Sequence, residues 1–373
     1  MKDKNLQKII ELRHELHKIA ELSEKEYKTK EFLMNFIKDN TRLKVIDKGN
    51  WFYAKYSGDN KGKAMGFRAD FDAVSIDESI DLSYASITPG VSHKCGHDGH
   101  AAVLAGFAME VDEKGAAEDI YFIFQHAEEI GTGAKEASLL VGEKNINEMY
   151  AFHNYPGIPL GHIGIKDETI CFASMGIIIK YHGVSSHASE PEKGKNPAYA
   201  IANIINMLSD LTGDEKNEGL VLATIIEVSV GEEAFGVSAH EGRLLLTIRA
   251  EKEKDLDRLK NNIGKLAAAE GEKYFLDMEI EYSDIFPETR NDCEIVSKIK
   301  SIAKEKGYVI HEMEALRTSE DYGYFLEKTK GAMMWIGAGE NHAPLHSKEY
   351  DFNDELIEGV VDLFCLIAGV ENE

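Results

Sequence analysis

The segment DIYFIFQHAEE, residues 119–129, joins an apolar run to a group of ionisable side chains. Its first seven residues are mostly apolar and aromatic, which is typical of a strand that is buried on both faces. Strands of that kind belong to parallel sheets that are covered by helices. The polar residues that follow lie at the strand end, where such sheets place their binding and catalytic sites. The segment therefore predicts an α/β fold with a functional site directly after residue 125.

Helical and strand patterns alternate on both sides of this segment, and the alternation returns after Pro287. The predicted helices cover residues 4–20, 28–38, 99–111, 134–140, 293–306 and 354–368, with one more after residue 319. The predicted strands cover residues 64–70, 119–125, 149–152 and 332–336. This order favours a mostly parallel mixed sheet flanked by helices. We predict that it forms one discontinuous domain from residues 1–173 and 287–373.

The middle of the chain follows a different pattern. Its predicted strands cover residues 175–182, 220–228, 243–249 and 278–283, and its predicted helices cover 197–211 and 253–274. The resulting order, β-α-β-β-α-β, is that of a ferredoxin-like α+β domain with a four-stranded sheet backed by two helices. A chain of 373 residues is also long enough for two hydrophobic cores. Residues 174–286 are therefore predicted to form a second, inserted domain.

The composition limits the classes of partner. Acidic residues number 66 against 42 basic residues, which gives a formal net charge of −24. Such a surface repels phosphate backbones and argues against nucleic acid as a partner. No run approaches the roughly 20 apolar residues that a membrane span requires, and the charged N-terminus has no signal-peptide core. We therefore expect a cytoplasmic protein that binds neither nucleic acid nor membrane.

Metal-ligating residue types lie close to the predicted strand ends. Cys95 and His97 share a turn ahead of the predicted helix at 99–111, and a nearby helix N-terminus favours the thiolate form of a cysteine. Glu128 and Glu129 follow the buried strand, where one carboxylate can bind a cation while the other transfers protons. Each pair could also be an ordinary polar turn or the start of a solvated loop.

Two histidines extend this set. His153 directly follows the predicted strand at 149–152, and His346 lies beyond the predicted strand at 332–336. A single histidine at a strand end is usually structural. A thiolate, a carboxylate and three histidines at four strand ends, however, form a ligand set that suits two divalent ions.

The order and spacing of several motifs resemble those of a known family. The motifs are LRHELH (12–17), GFRADFDA (66–73), CGHDGH (95–100), AEE (127–129), HNYP (153–156), HASEP (187–191), EDY (320–322) and PLHS (344–347). They resemble the metallopeptidase family that includes aminoacylase, hippurate hydrolase, the plant auxin-conjugate amidohydrolases and related carboxypeptidases. The resemblance runs almost from end to end of the chain.

This resemblance implies a zinc-peptidase-like catalytic domain that carries residues 174–286 as a ferredoxin-like lid. It implies two divalent metal ions, zinc or manganese, since zinc is the commonest metal in the wider family and manganese occurs in its thiolate-containing branch. Thiolate, imidazole and carboxylate together do not select one of these metals. The implied ligands are Cys95, His97, Glu129, His153 and His346, with Cys95 shared between the ions. Lids of this family often mediate dimers, so a homodimer through the lid is also expected.

The resemblance further implies roles for four other residues. Glu128 is the expected general base, which takes a proton from a metal-bound water and gives it to the departing amine. His187 is the expected donor to the tetrahedral oxyanion. Arg249 is expected to pair with the substrate carboxylate, although a salt bridge on the lid surface is an equal alternative. Asp70 is expected to accept a hydrogen bond from a ligand histidine, or else to cap its strand.

The implied function is hydrolysis of the amide bond of N-acyl amino acids or related amino-acid conjugates by a metal-dependent enzyme. One alternative is a dipeptidase or carboxypeptidase of the same chemistry. Another is a catalytically silent protein that binds such conjugates, but the presence of Glu128 and of every implied ligand argues against it. The chain departs from the family pattern at His126 and at Lys348, where proline is common, so substrate preference is less constrained than reaction type.

Overall fold

The computed structural model describes residues 1–60 and 62–370. The chain divides into two compact units. Unit 1 consists of Met1–Ile170, Thr289–Glu314 and Asp321–Glu373, and unit 2 consists of Cys171–Glu288 and Ala315–Glu320.

The predicted domain boundaries lie close to these divisions, with one difference. Residue 173 lies three positions after Ile170, and residue 287 lies two positions before Thr289. The segment Ala315–Glu320 had been assigned to the catalytic domain but belongs to unit 2. The physical reason is backbone pairing, because the Phe172 N–H donates to carbonyl oxygens of this segment, including that of Leu316 at 3.0 Å.

The helices and strands of the described chain are numbered in sequence order. The helices are α1 (Asp3–Lys18), α2 (Tyr27–Asn40), α3 (His97–Lys114), α4 (Gly133–Ala137), α5 (Leu139–Lys144), α6 (Ala198–Thr212), α7 (Glu253–Tyr274), α8 (Cys293–Lys306), α9 (Gly323–Leu326) and α10 (Leu356–Ile367). The strands are β1 (Lys44–Asp47), β2 (Phe52–Tyr56), β3 (Ala64–Asp70), β4 (Asp119–Gln125), β5 (Glu148–Pro156), β6 (Ile163–Gly164), β7 (Glu168–Cys171), β8 (Ala173–His182), β9 (Val221–Val230), β10 (Glu241–Ala250), β11 (Asp277–Phe286), β12 (Thr289–Asn291), β13 (Ile310–His311) and β14 (Lys330–Gly339).

Unit 1 is built on an eight-stranded mixed sheet with the order β1-β2-β4-β3-β5-β14-β6-β13. Its four central strands, β4, β3, β5 and β14, run parallel to one another, and every residue of β3 is buried. The predicted mixed α/β class is therefore confirmed. Because parallel strands end at one edge of a sheet, Asp70, Gln125 and Pro156 finish their strands on the same side.

Helix α3 lies in the core of unit 1 and brings two predicted ligand positions to the sheet edge. All of its residues from His97 to Val111 are buried. The ring of Phe107 lies 4.6 Å from that of Phe67 on β3 and 5.6 Å from that of Phe364 on α10, measured between centroids. Aromatic contacts at these distances add to the free energy of burial and fix the helix on the sheet.

Unit 2 has the predicted ferredoxin-like architecture. Its four strands form an antiparallel sheet with the order β11-β8-β10-β9, joined in the sequence β-α-β-β-α-β. Alternate residues of β8 and β10, such as Ile177 and Leu246, are buried against apolar residues of α6 and α7, including Ile204 and Ile263. Strand β9 is at the edge of this sheet.

Several short elements are missing from the prediction or differ from it. Strands β1 and β2 form an antiparallel edge of the unit 1 sheet, and their few alternating residues give a weak periodic signal. The helix expected after residue 319 is only the four-residue α9. Among the described helices, none combines the length and the apolar character that crossing a bilayer requires.

Candidate metal centre

The five predicted ligands come together at the carboxyl-end edge of the unit 1 sheet. Cys95 and His97 lie at the start of α3, Glu129 follows β4, His153 is within β5 and His346 follows β14. Gly96 allows the turn that carries Cys95 and His97, because its φ of 97° is a left-handed conformation that residues with a side chain rarely adopt. A Cβ atom at this position would also collide with Asn154 and Tyr350.

These side chains form two overlapping groups. The ligand atoms of Cys95, His97 and His153 all lie within 4.8 Å of one another, and so do those of Cys95, Glu129 and His346. Within the first group, Cys95 Sγ is 3.4 Å from His153 Nε2. Within the second group, His346 Nε2 is 3.3 Å from Glu129 Oε1. Both groups contain the Cys95 thiol, which is the arrangement expected of a ligand that bridges two ions.

The chemistry of these donors fits a cation. His97 Nε2 is buried and has no hydrogen-bond partner among the residues that the structure describes. It faces carboxylates instead, with Glu129 Oε1 at 3.8 Å and Glu128 Oε2 at 4.0 Å. Leaving a buried polar atom unsatisfied costs about 1–3 kcal/mol. A divalent ion among these atoms removes that cost, and nitrogen, sulfur and carboxylate oxygen are accepted zinc ligands.

The protonation of the centre without a cation supports the same conclusion. Burial, followed by the charges of Glu129 and Glu128, raises the pKa of the Cys95 thiol well above its ordinary value. Burial opposes protonation of His97, but Asp70 and Asp72 outweigh it and raise the pKa of His97 to about 10. The thiolate and the neutral imidazole, which are the ligating forms, therefore require a compensating positive charge.

Hydrogen bonds to neighbouring groups orient the rings of two predicted ligands, His97 and His153. His153 Nδ1 donates to the carbonyl oxygen of Asn154 at 2.7 Å. His97 Nδ1 donates to the Asp72 carboxylate at 3.0 Å and is 3.1 Å from the Asp72 carbonyl oxygen. In both rings the other nitrogen, Nε2, is left for a metal ion, which is the usual division of labour in a metal-binding histidine.

The acceptor of the ligand His97 is thus Asp72, whereas the sequence had suggested Asp70 for such a role. Asp70 accepts from His100 Nδ1 at 2.6 Å and from Arg68 Nη1 at 2.6 Å. Burial opposes ionisation of Asp70, but His97, Arg68 and His100 hold its pKa well below its ordinary value. The Asp-x-Asp spacing at the end of β3 was visible in the sequence, but it does not reveal which carboxylate meets which ring.

Asp72 also binds two other segments. Its Oδ2 atom accepts from the backbone N–H of Glu129 at 3.0 Å and from Ser23 Oγ at 2.8 Å. One buried carboxylate therefore positions the side chain of His97 and the backbone of Glu129, which come from different parts of the chain.

The loop that carries Glu128 and Glu129 is held in an unusual conformation. Ala127 has a φ of 49°, in the left-handed region that non-glycine residues rarely adopt. Its N–H donates to the buried Glu26 Oε1 at 2.8 Å, and its carbonyl oxygen accepts from Gly133 N at 3.2 Å. Glu26 was not among the predicted site residues, because a carboxylate at the start of a helix is ordinarily a solvent-exposed charge.

The other two predicted site residues lie in unit 2. His187 is exposed, and its Nδ1 is 2.6 Å from Ser189 Oγ. Arg249 is on β10, and its Nη1 donates to the carbonyl oxygen of Arg317 at 3.0 Å and to Ser319 Oγ at 2.9 Å. These contacts are all made within unit 2.

The mixed α/β sheet and the nitrogen, sulfur and oxygen ligand set at its strand ends are those of a metal-binding hydrolase of the metallopeptidase class. Residues 66–369 match the model of peptidase family M20/M25/M40, and the chain belongs to this family. The predicted family resemblance and the predicted enzyme class, a hydrolase that acts on amide bonds, are thereby confirmed.

Relatives and solved structures match almost the whole chain. The N-acetyldiaminopimelate deacetylase of Exiguobacterium sibiricum is 28% identical over 363 residues, which cover 95% of this chain and 96% of the relative. The enzyme of the same name from Leuconostoc mesenteroides is 27% identical over 356 residues, which cover 92% of this chain and 91% of the relative.

Two solved structures share the fold. A dinuclear metal binding peptidase of the M20 family from Bacillus subtilis has a TM-score of 0.84 at 24% identity and covers 98% of both chains. The aminobenzoyl-glutamate utilization protein from Klebsiella pneumoniae has a TM-score of 0.72 at 18% identity, over 98% of this chain and 97% of that one. At these identities the similarity establishes the architecture of the chain.

The role of Asp72 predicts a loss of metal affinity in Asp72→Asn. The amide removes the negative charge that orients and polarises His97, so we expect divalent zinc or cobalt to bind about 10- to 100-fold more weakly. Isothermal titration of the chelator-treated protein measures the change. Asp119→Asn is the control, because Asp119 pairs with Lys55 at the start of β4. Unchanged affinity in Asp72→Asn would contradict the assigned role.

The environment of Glu26 predicts a pH dependence of stability. Burial and the charge of Asp72 raise the pKa of Glu26 from 4.5 to about 7. Between these values the unfolded state releases its proton before the folded state does, so stability falls as the pH rises. Glu26→Gln keeps the acceptor for Ala127 but cannot ionise. As the pH rises from 4.5 to 7, we therefore expect the free energy of unfolding of the variant to increase by about 1–3 kcal/mol relative to that of the wild type.

This expectation is checked by urea unfolding of the chelator-treated protein at several pH values. The exposed neighbour Glu24 provides the control variant, Glu24→Gln. Parallel stability curves for the wild type and Glu26→Gln would show that Glu26 titrates normally in the folded state.

Proposed function

We propose that the protein hydrolyses the amide bond of N-acyl amino acids or related amino-acid conjugates at a centre of two divalent metal ions. The observation that carries this proposal is the pair of three-residue ligand groups that share the Cys95 thiol. Cys95, His97 and His153 would hold one ion, and Cys95, Glu129 and His346 would hold the other. The donor set combines thiolate and imidazole, which are ordinary zinc ligands, with a carboxylate, which also suits manganese.

Metal ions in such a centre polarise an amide carbonyl and increase the acidity of a water molecule. Glu128 is assigned the proton transfers, since it is buried next to both ligand groups and its Oε2 is 4.0 Å from His97 Nε2. It takes the proton of the attacking water and delivers it to the departing amine. The left-handed conformation of Ala127 supports this assignment. It shapes the loop in which one of two consecutive glutamates, Glu128, transfers protons and the other, Glu129, binds a metal ion.

Relatives support the choice of substrate class. Those reported above are named N-acetyldiaminopimelate deacetylases, and they match this chain over nearly their full length. An N-acetyl amino acid is therefore the first substrate to test. Dipeptides belong in the same panel, since a dipeptidase of the same family would cleave an equivalent bond with the same residues.

Unit 2 is assigned the role of a lid. Within the proposal, His187 donates a hydrogen bond to the oxyanion of the tetrahedral intermediate, and Arg249 pairs with the substrate carboxylate. The contacts of Arg249 with Arg317 and Ser319 support its role by fixing the guanidinium group.

Glu128→Gln is the direct test of the proposed chemistry. The amide cannot accept a proton from water, so we expect kcat on N-acetyl amino acids to fall about 10²- to 10⁴-fold. Metal stoichiometry, measured by elemental analysis, should remain at two ions per chain. Glu136→Gln, on the exposed face of α4, is the control. Full activity in Glu128→Gln would overturn the assignment of the base.

The exposed face of β9 supports a homodimer through unit 2. Ile226 is 58% exposed and Val228 is 48% exposed on this edge strand, and exposed apolar edge strands tend to pair with another chain. We expect Ile226→Lys to be monomeric in light scattering at concentrations at which the wild type is dimeric. Ile87→Lys alters a residue of unit 1 that is 74% exposed and should leave the mass unchanged. A monomeric wild type would exclude the dimer.

A further inference from the structure

Unit 1 contains a cavity that opens directly onto the candidate metal centre. It has a volume of about 390 Å³, and two predicted ligands, Glu129 and His346, form part of its wall. Its other lining residues are Leu22, Ser23, Lys25, Ala73, Val74, Ser75 and Ile130. Because two predicted ligands form part of its wall, the cavity offers space for a part of a molecule bound at the metal centre.

Lys25 gives this cavity a specific chemical character. It is the only lysine or arginine of the lining, and the rest of the wall is aliphatic or carries small hydroxyl groups apart from the two ligands. Lys25 is exposed. Among the described residues, its ammonium group has no carboxylate within 4 Å and takes part in no hydrogen bond. An unpaired cation beside a largely apolar wall is suited to the charged end of an aliphatic chain.

The backbone around Lys25 is fixed to the metal centre. Ser23 Oγ donates to Asp72 Oδ2 at 2.8 Å, and Asp72 in turn binds the ligand His97. The Ala73 N–H donates to the carbonyl oxygen of Glu21 at 2.9 Å. The position of Lys25 relative to the ligands is therefore built into the fold, although its side chain is free to swing.

The carboxylate of Glu21, in the same loop, is already hydrogen-bonded elsewhere. Glu21 Oε2 accepts from the backbone N–H groups of Lys28 and Thr29 at 2.8 Å and 2.9 Å, at the start of α2. A second cavity of about 270 Å³ shares Leu22 and Lys25 with the first and adds Lys28 to its wall. The walls of the two cavities thus include two lysines, Lys25 and Lys28, and the carboxylate of Glu21, which is engaged at the start of α2.

We propose that Lys25 is a specificity-determining residue that binds a carboxylate at the far end of the substrate, across the cavity from the metal centre. This inference rests on the proposed function and narrows its substrate class to N-acyl amino acids with a second carboxylate. That carboxylate belongs either to the side chain of a dicarboxylic amino acid or to a dicarboxylic acyl group. In either case the aliphatic wall accommodates the carbons between the amide and the charge.

The test compares charged and neutral substrates of similar length. N-acetyl-2-aminoadipate carries the second carboxylate on the amino acid, N-succinylnorleucine carries it on the acyl group, and N-acetylnorleucine lacks it. We expect kcat/KM for one of the two dicarboxylates to exceed that for N-acetylnorleucine by about 10- to 100-fold, mainly through KM, since a charge-assisted contact has that magnitude. The preferred dicarboxylate identifies the source of the carboxylate.

Substitution of Lys25 then tests whether this residue causes the preference for a dicarboxylate. In Lys25→Met the ratio of the two kcat/KM values should fall to about one, and in Lys25→Glu it should fall below one. Lys135→Met, an exposed lysine of α4, controls for the loss of a positive charge elsewhere in unit 1. A wild type without preference for either dicarboxylate, or a preference that survives Lys25→Met, overturns the proposal.

Binding to the Glu128→Gln protein separates this proposal from the proposed function. Titration calorimetry with the same three compounds measures recognition without turnover. A 10- to 100-fold lower Kd for a dicarboxylate, lost in the double variant with Lys25→Met, supports the role of Lys25 even when no amide is cleaved. Hydrolysis of all three compounds with equal Kd values leaves the proposed function intact and eliminates the role of Lys25.

Discussion

The carboxylate of Asp72 is the group on which the geometry of the centre depends. It accepts from His97, from the backbone of Glu129 and from Ser23, and thereby joins α3, the loop after β4 and the turn between α1 and α2. Burial opposes ionisation of this group, but its hydrogen bonds with His97 and Glu129 hold its pKa below the ordinary value. A buried carboxylate favours the arrangement in which all of its hydrogen-bond partners are in place. Losing a partner would leave a buried negative charge without compensation, which is energetically costly.

A second network of hydrogen bonds, around Lys94, positions the backbone next to Cys95 and the backbone of His346. Lys94 has no exposed surface, and its Nζ donates to Glu78 Oε1 and to the carbonyl oxygen of Tyr350, each at 2.7 Å. The carbonyl oxygen of Lys94 accepts from His346 N at 2.7 Å. The residue next to Cys95 therefore also holds the backbone of His346, which has a strained left-handed φ of 60°. Burying an ammonium group is costly unless it is paired, and here its pairing with Glu78 also fixes the position of the backbone beside Cys95.

The parts of this structure that could be predicted from the sequence are those that depend on periodicity and on chain order. The buried strand at 119–125 and the β-α-β-β-α-β order of the middle segment predicted the two architectures because each pattern is set by local burial. The five ligand types were identifiable because strand ends of a parallel sheet converge. Asp72, Glu26 and Lys25 were not, since their roles arise from contacts with residues far away in the chain. Sequence spacing alone does not distinguish Asp72 from Asp70, the last residue of β3, which lies two positions earlier in the chain.

The balance of charge at the centre links folding of unit 1 to metal binding. The four carboxylates of Asp70, Asp72, Glu128 and Glu129 meet at the sheet edge, together with a thiol that must lose its proton to act as a ligand. Arg68 and His100 neutralise Asp70 from behind, but no described lysine or arginine forms an ion pair with Glu129. Bound divalent cations would supply the missing positive charge, and their binding free energy would then add to that of the fold. Within the proposed function, the acidic residues assigned to the metal centre would therefore also make the stability of unit 1 depend on bound metal ions.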